Sequence, residues 1–160
     1  MFVLGIDPGL STTGYGLVEG GPTPRPITAG VIRTDPESAT SERLLDLHQG
    51  LAQVVKETSP DAIAVETIFT NRNLQTAISV GRASGIALLV AGEAGIPVFE
   101  YVPTAIKAAV TGDGSANKGQ VQAMVARLLR LDDAPKPADA ADALAIALCH
   151  LRVAPLEART

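Results

Sequence analysis

Phe2-Val-Leu-Gly-Ile-Asp7 is the stretch that decides the fold, because an apolar run in it stops at a carboxylate. Ala62-Ile-Ala-Val-Glu66 repeats the same plan later in the chain. Continuous apolar runs are typical of strands that are covered on both faces, as in a parallel sheet. We therefore predict two neighbouring parallel strands in an α/β domain, with Asp7 and Glu66 at the same edge of the sheet. The alternative is that each acid merely faces solvent at a strand end.

The other elements follow from turn residues and helical periodicity. Glycines and prolines within 20–26 separate two predicted strands, and a glycine-rich loop at 111–116 separates two predicted helices. The predicted order is βββαβαβααα. The strands are predicted at 2–6, 13–19, 27–34, 62–65 and 96–101, and the helices at 41–59, 73–93, 103–110, 117–131 and 137–153.

Length and composition are those of one folded domain. The chain has 160 residues, of which 46% are hydrophobic and 19% charged, so a sizeable core can form. We expect a single domain over 1–160, with a disordered tail after about Val153. The longest apolar run, Ala143 to Cys149, is far too short to cross a bilayer, and the N-terminus lacks the features of a signal peptide. Together with the single cysteine, these features predict a cytoplasmic protein.

Two further carboxylates occur in the last predicted helix, which is apolar almost all round and is therefore expected to be buried. Asp139 and Asp142 are spaced i, i+3 and share one face of that helix. The helix dipole would explain Asp139, which lies in the first turn, but explains Asp142 only weakly. A divalent cation would relieve the repulsion between both acids. Hard oxygen ligands without thiolate or imidazole favour Mg²⁺ or Mn²⁺.

The net charge of −4, from 17 acids and 13 bases, initially argues against a nucleic-acid substrate. Four of those acids belong to the candidate metal site, and the remaining 13 balance the 13 bases. Metal ions would neutralise the site. A polyanionic substrate is therefore compatible with the composition.

Several motifs occur in order along nearly the whole chain. They are Gly5-Ile-Asp-Pro-Gly9, Thr13-Gly-Tyr-Gly16, Glu66 with Phe69, Phe99-Glu-Tyr101, Lys107, Lys118 and Ala138-Asp-Ala-Ala-Asp-Ala-Leu-Ala-Ile146. In this combination and spacing they resemble the RuvC family of bacterial Holliday junction resolvases. The resemblance implies an RNase H-like fold, in which three antiparallel strands plus parallel strands form a mixed five-stranded sheet flanked by helices.

The resemblance also implies an activity and partners. It implies metal-dependent, paired and symmetric nicking of four-way DNA junctions in recombination and repair, leaving 5′-phosphates, and it assigns metal binding to the four acids, Asp7, Glu66, Asp139 and Asp142. Two-metal hydrolysis places one ion on the attacking water and one on the leaving oxygen. Some members have a histidine at the position of Asp139, so the choice between Mg²⁺ and Mn²⁺ stays open. The implied partners are a second copy of the chain, paired along the second helix, and the branch-migration proteins RuvA and RuvB.

Four more residues are candidates for contacts with DNA. Lys107 and Lys118 flank the glycine-rich loop and would hold phosphate or stabilise charge during cleavage. Phe69 follows Glu66 in a polar segment, where it would stack on a base, and Arg72 is a natural phosphate contact. Lysines beside a loop are, however, often only solvated.

Other residues are predicted to have structural roles. Phe2 and Phe99 are predicted to lie in the core. His48, Cys149 and His150 show no pattern of ligands or catalytic partners, so we expect them to be structural as well.

Three other functions remain open at this stage. The chain could be another RNase H-like nuclease that cuts RNA–DNA hybrids or flaps. It could also bind junctions without cutting them, although the complete set of four acids argues against this. Actin-like ATPases and sugar kinases share a similar first strand, but their fold needs two such domains and this chain has the length of one.

Overall fold

The computed structural model describes residues 1–67 and 73–157, with side chains up to Ala154. The predicted order βββαβαβααα is confirmed. The last helix ends at Glu157, so residues 154–157, which were expected in the tail, have helical backbone. The strands are β1 Phe2–Asp7, β2 Thr12–Glu19, β3 Arg25–Arg33, β4 Ala62–Glu66 and β5 Val98–Tyr101, and the helices are α1 Thr40–Thr58, α2 Leu74–Ala94, α3 Pro103–Thr111, α4 Lys118–Leu128 and α5 Ala138–Glu157.

The five strands form one mixed sheet in the order β3-β2-β1-β4-β5. The first three strands pair antiparallel, which short hairpin connections allow. β4 pairs parallel with β1, and β5 pairs parallel with β4, each reached through a helical crossover. The predicted parallel pairing of β1 and β4 is therefore confirmed, and β1 lies at the centre of the sheet.

Helices cover both faces of the sheet. Since side chains alternate along a strand, Val3 and Ala64 pack on the side of α3, α4 and α5, whereas Leu4 and Ile63 pack on the side of α1 and α2. Buried residues of α5 run almost without interruption from Ala140 to His150. This explains why that helix is apolar on nearly every face.

α5 lies directly against β1 and β2 because both strands have glycine where the helix crosses them. A Cβ atom at Gly5 would lie 1.9 Å from the carbonyl oxygen of Ala143, and one at Gly14 would lie 2.0 Å from the carbonyl oxygen of Asp139. No other residue fits at these distances. The two glycines thus fix how closely the start of α5 approaches Asp7.

The predicted core positions of Phe2 and Phe99 are wrong, since each side chain is 37% exposed. Phe2 is the first residue of β1, and Phe99 belongs to β5, an edge strand of the sheet. The Phe99 ring packs on that of His150, with centroids 4.4 Å apart. His150 and Cys149 are buried, and the Tyr101 hydroxyl lies 2.7 Å from Nδ1 of His150, which agrees with the structural roles predicted for them.

Candidate active site

Two of the four predicted carboxylates end adjacent strands. Asp7 is the last residue of β1 and Glu66 the last of β4, and the parallel register pairs the residues just before them, Ile6 and Val65. Alternation along the strands turns both acids toward the face that α5 covers. The sheet therefore brings together two carboxylates that are 59 positions apart in the sequence.

The other two carboxylates come from the beginning of α5. One carboxylate oxygen from each of Asp7, Asp139 and Asp142 lies within 4.8 Å of the other two, and all three residues are half-buried. Oxygen ligands at this separation match what a hard divalent cation requires. Glu66 and Asp142 both line an adjoining cleft of about 240 Å³. Three of the four predicted acids thus converge, and Glu66 lies beside them on the cleft that it shares with Asp142.

Burial opposes negative charge in this cluster. The pKa of Asp7 is raised from 3.8 to about 8, first because the carboxyl is removed from water and then because Glu66 and the other acids repel its charge. The pKa of Glu66 is also raised, by burial and then by Asp142. A bound cation would offset both effects, so the donor set fits a divalent metal ion chemically as well as geometrically.

The two predicted lysines line the same cleft as Glu66 and Asp142. Lys107 belongs to α3, and Lys118 is the first residue of α4. The Lys118 ammonium donates a hydrogen bond of 3.0 Å to Oδ2 of Asp142, and this contact raises the pKa of Lys118. Both lysines are therefore cations next to the carboxylates, where they can meet a phosphate group.

Phe69 and Arg72, the remaining predicted site residues, lie outside the described part of the chain, which stops at Thr67 and resumes at Asn73. The structure therefore leaves their assigned contacts with DNA as predictions.

One supporting residue was missed by sequence reasoning. Thr13 is buried, and its hydroxyl donates to the carbonyl of Gly9 at 2.6 Å and accepts from the Gly9 amide at 3.2 Å. These bonds hold the turn that follows Asp7. The available signal was a threonine four residues after the glycine of a turn, a spacing at which a hydroxyl can bond to the backbone.

A mixed five-stranded sheet with acids at the ends of β1 and β4 and at the start of α5 defines an RNase H-like nuclease. The family model for the crossover junction endodeoxyribonuclease RuvC matches residues 3–150. The chain belongs to the RuvC family, and it is accordingly an endodeoxyribonuclease of the crossover-junction type. This assignment decides against the hybrid-cutting nucleases, the ATPases and the non-catalytic module that the sequence alone left open. Membership also implies dependence on a divalent metal ion.

Relatives and solved structures agree with this assignment. The chain is 53% identical to the RuvC of Salinispora arenicola over 94% of its own length and 87% of the relative's. It is 51% identical to the RuvC of Desulforamulus reducens, with 94% and 93% covered. The Thermus thermophilus RuvC structure superposes with a TM-score of 0.91 at 40% identity, covering 98% of this chain and 97% of that one. The T. thermophilus RuvC in complex with Holliday junction substrate superposes with a TM-score of 0.92, also at 40% identity, covering 98% and 96%.

Proposed function

We propose that this protein resolves four-way DNA junctions by paired hydrolysis of phosphodiester bonds at the site of the four acids. The observation that carries the proposal is the convergence of Asp7, Asp139 and Asp142 to within 4.8 Å, in a chain of the RuvC family. The complex of T. thermophilus RuvC with a Holliday junction supports the choice of substrate. Recombination and repair are the processes that produce such junctions.

Asp7, Glu66, Asp139 and Asp142 would hold the metal, which we propose to be two ions of Mg²⁺ or Mn²⁺. When bound, such ions activate water and stabilise charge on the leaving oxygen. Asp7 lies on the central strand, close to the other acids, so its carboxylate would be one of the groups that hold the metal. Its proton must leave before its carboxylate can bind a cation, and the raised pKa makes that proton release part of metal binding.

Lys107 and Lys118 would hold the phosphate that is cut. Both line the cleft that Glu66 and Asp142 also line. Ammonium groups bind phosphate oxygens and stabilise the negative charge that develops during hydrolysis. Because Lys118 forms a salt bridge with Asp142, the position of the lysine ammonium depends on an acid that would also bind metal.

A second copy of the chain would complete the enzyme, because two symmetric cuts need two sites and each chain provides one. One face of α2 supports this proposal. Leu74, Ile78 and Leu89 on that face are 76%, 45% and 49% exposed, and a Cβ at Gly81 or Gly85 would meet nothing within 4 Å. The fold of a single chain therefore gives no reason for these glycines, whereas a close helix partner would.

The apolar character of α2 has a second consequence. Within the described ranges, α2 is long and apolar enough to cross a membrane. Of its apolar stretch of 18 residues, 22% is buried within the chain. We attribute this exposed apolar surface to pairing of two copies, and we place the protein in the cytoplasm, where its DNA substrate is. The family resemblance further supports RuvA and RuvB as partners that deliver the junction.

The test is cleavage of a synthetic mobile four-way junction, compared with a linear duplex and an RNA–DNA hybrid of the same sequence. We expect paired nicks with 5′-phosphate and 3′-hydroxyl ends on the junction alone, in Mg²⁺ or Mn²⁺ and not in EDTA. Equal cutting of the hybrid would contradict the proposed substrate, and cutting in EDTA would contradict the proposed metal site.

A further inference from the structure

A second groove lies at the end of the sheet remote from the four acids. It is located where β2 ends and β1 begins, since the Gly20 amide donates to the Met1 carbonyl at 2.8 Å. Its volume is about 400 Å³, within the range of pockets that hold ligands. Arg152 on its wall is ten residues beyond Asp142 in α5, which corresponds to about 15 Å along the helix. The groove is therefore separate from the active site.

The charge of this groove is opposite to that of the whole chain. Three arginines, Arg127, Arg130 and Arg152, line it and are exposed. None of the described residues that line it is acidic, although the protein carries a net charge of −4. Three guanidinium groups around one concavity form a site that is complementary to carboxylates.

Two of the three arginines also have other roles. Arg152 donates from Nη1 to the carbonyl of Ala109 at 2.7 Å, which ties α5 to α3. Arg127 lies in the last turn of α4, where a cation stabilises the helix dipole. Among the described residues, the side chain of Arg130 neither bonds to another helix nor lies within the last turn of one.

The backbone at Arg130 favours a different residue. Its φ of 55° lies in the left-handed region, just past the end of α4, where glycine is the usual residue. An arginine there costs conformational energy that glycine would avoid. Non-glycine residues that keep such a conformation are found preferentially at functional sites. Arg130 is therefore the arginine of this groove that neither a described side-chain contact nor the backbone conformation explains.

The floor of the groove is apolar. Leu128, Leu148 and Leu151 line it together with Pro22 and Pro24 of the turn before β3. DNA phosphates are contacted by cationic and polar groups, whereas protein interfaces combine arginine with buried apolar contacts. We propose that this groove docks a segment of a partner protein in which acidic and apolar side chains alternate.

Fluorescence anisotropy on the full-length protein tests the proposal. The probe is a fluorescein-labelled peptide in which glutamates alternate with leucines, and its control has glutamine in place of each glutamate. We expect the glutamate peptide to bind the wild type, with affinity that falls as salt rises. Arg130→Gly should weaken binding about tenfold, and Arg127→Glu combined with Arg130→Gly should weaken it further.

Glycine at position 130 removes the guanidinium and adopts the left-handed backbone conformation without strain. A loss of peptide binding can therefore not be attributed to misfolding of the variant. The melting temperature and the rate of junction cleavage should not fall in Arg130→Gly. Lys56→Gln, which removes an exposed cation from the last turn of α1, should leave peptide binding unchanged. Failure of the glutamate peptide to bind the wild type, or equal binding by Arg130→Gly, would overturn the proposal. Loss of linear-duplex affinity in Arg130→Gly would assign the groove to DNA instead.

Discussion

At the scale of the residue, Asp7 is held where its own charge is unfavourable. Its pKa of about 8, against 3.8 in an unfolded chain, means that the folded protein retains a proton between these pH values. The stability of the metal-free protein must therefore fall as pH rises from about 4 to about 8. Burial of this carboxyl thus lowers the stability of the metal-free protein but places a metal ligand in the site.

Asp7→Asn is expected to abolish nicking and to stabilise the metal-free protein. Asparagine needs no proton uptake on folding, so the free energy of unfolding in EDTA should rise by ~1–2 kcal/mol at neutral pH. The gain should shrink toward pH 4, where Asp7 is protonated in both states. Thermal melts at several pH values measure it. A variant that is less stable than the wild type at neutral pH would contradict this account of Asp7.

The same variant and its counterparts Glu66→Gln, Asp139→Asn and Asp142→Asn should still bind the junction, because phosphate contacts are assigned to lysine and arginine. Gel-shift assays without metal test this. If all four variants lose junction binding, the acids are structural.

Metal affinity should depend on pH through the same carboxyl. Below about pH 8, a cation must displace the proton of Asp7. The apparent dissociation constant for Mn²⁺ should therefore decrease by about tenfold per unit from about pH 6 to about pH 8, and then level off. Titration calorimetry in buffers of different ionisation enthalpy would also detect the released proton. Affinity that is constant over this range would show that Asp7 is not a ligand.

Phe69 follows the metal site in sequence, and its contribution is expected to depend on the substrate. Loss of one stacked base costs about 1–3 kcal/mol, so Phe69→Ala should slow cleavage by roughly ten- to a hundredfold. A junction with unpaired bases beside the cut should restore much of the rate. If the residue instead supports the core, the melting temperature will fall and the opened junction will rescue nothing.

At the scale of the element, the contact between α5 and the sheet decides whether the acids meet. Gly5→Ala would place a Cβ atom 1.9 Å from the Ala143 carbonyl oxygen, so the helix must shift. We expect a loss of about 3 kcal/mol in the free energy of unfolding, together with loss of nicking.

Gly21→Ala is the matched control, because a Cβ there meets nothing within 4 Å and its φ is not positive. Denaturant unfolding and a nicking assay on both variants provide the comparison. Equal stability of the two variants would show that α5 tolerates displacement.

At the scale of the whole molecule, pairing of two chains should make the cuts symmetric. Sedimentation should give about twice the chain mass of 16.5 kDa. Leu89→Glu, on the exposed face of α2, should give a monomer that makes single rather than paired nicks. Leu45→Glu alters a similarly exposed leucine on α1 and should remain dimeric. A wild-type monomer that makes paired nicks would rule out this arrangement.

Local patterns were sufficient to predict much of this molecule. The apolar runs that stop at Asp7 and Glu66 predicted two strands, each ending in an acid. The i, i+3 spacing predicted that Asp139 and Asp142 share one face of a helix. Such features depend on the periodicity of the backbone. Because this periodicity involves only a few neighbouring residues, it can be recognised in the sequence. The order of elements and the parallel pairing of β1 and β4 followed from the same patterns.

Tertiary structure decided what depends on packing between distant segments. The closeness of Asp7 to the acids of α5 follows from glycines that let a helix touch the sheet, and the raised pKa follows from the resulting burial. The exposure of Phe2 and Phe99 depends on their places at the beginning of β1 and in the edge strand β5. The arginine groove joins α4, α5 and a turn that lie far apart in sequence. Distances and solvent exposure of this kind arise only when the chain is packed, because no local periodicity encodes them.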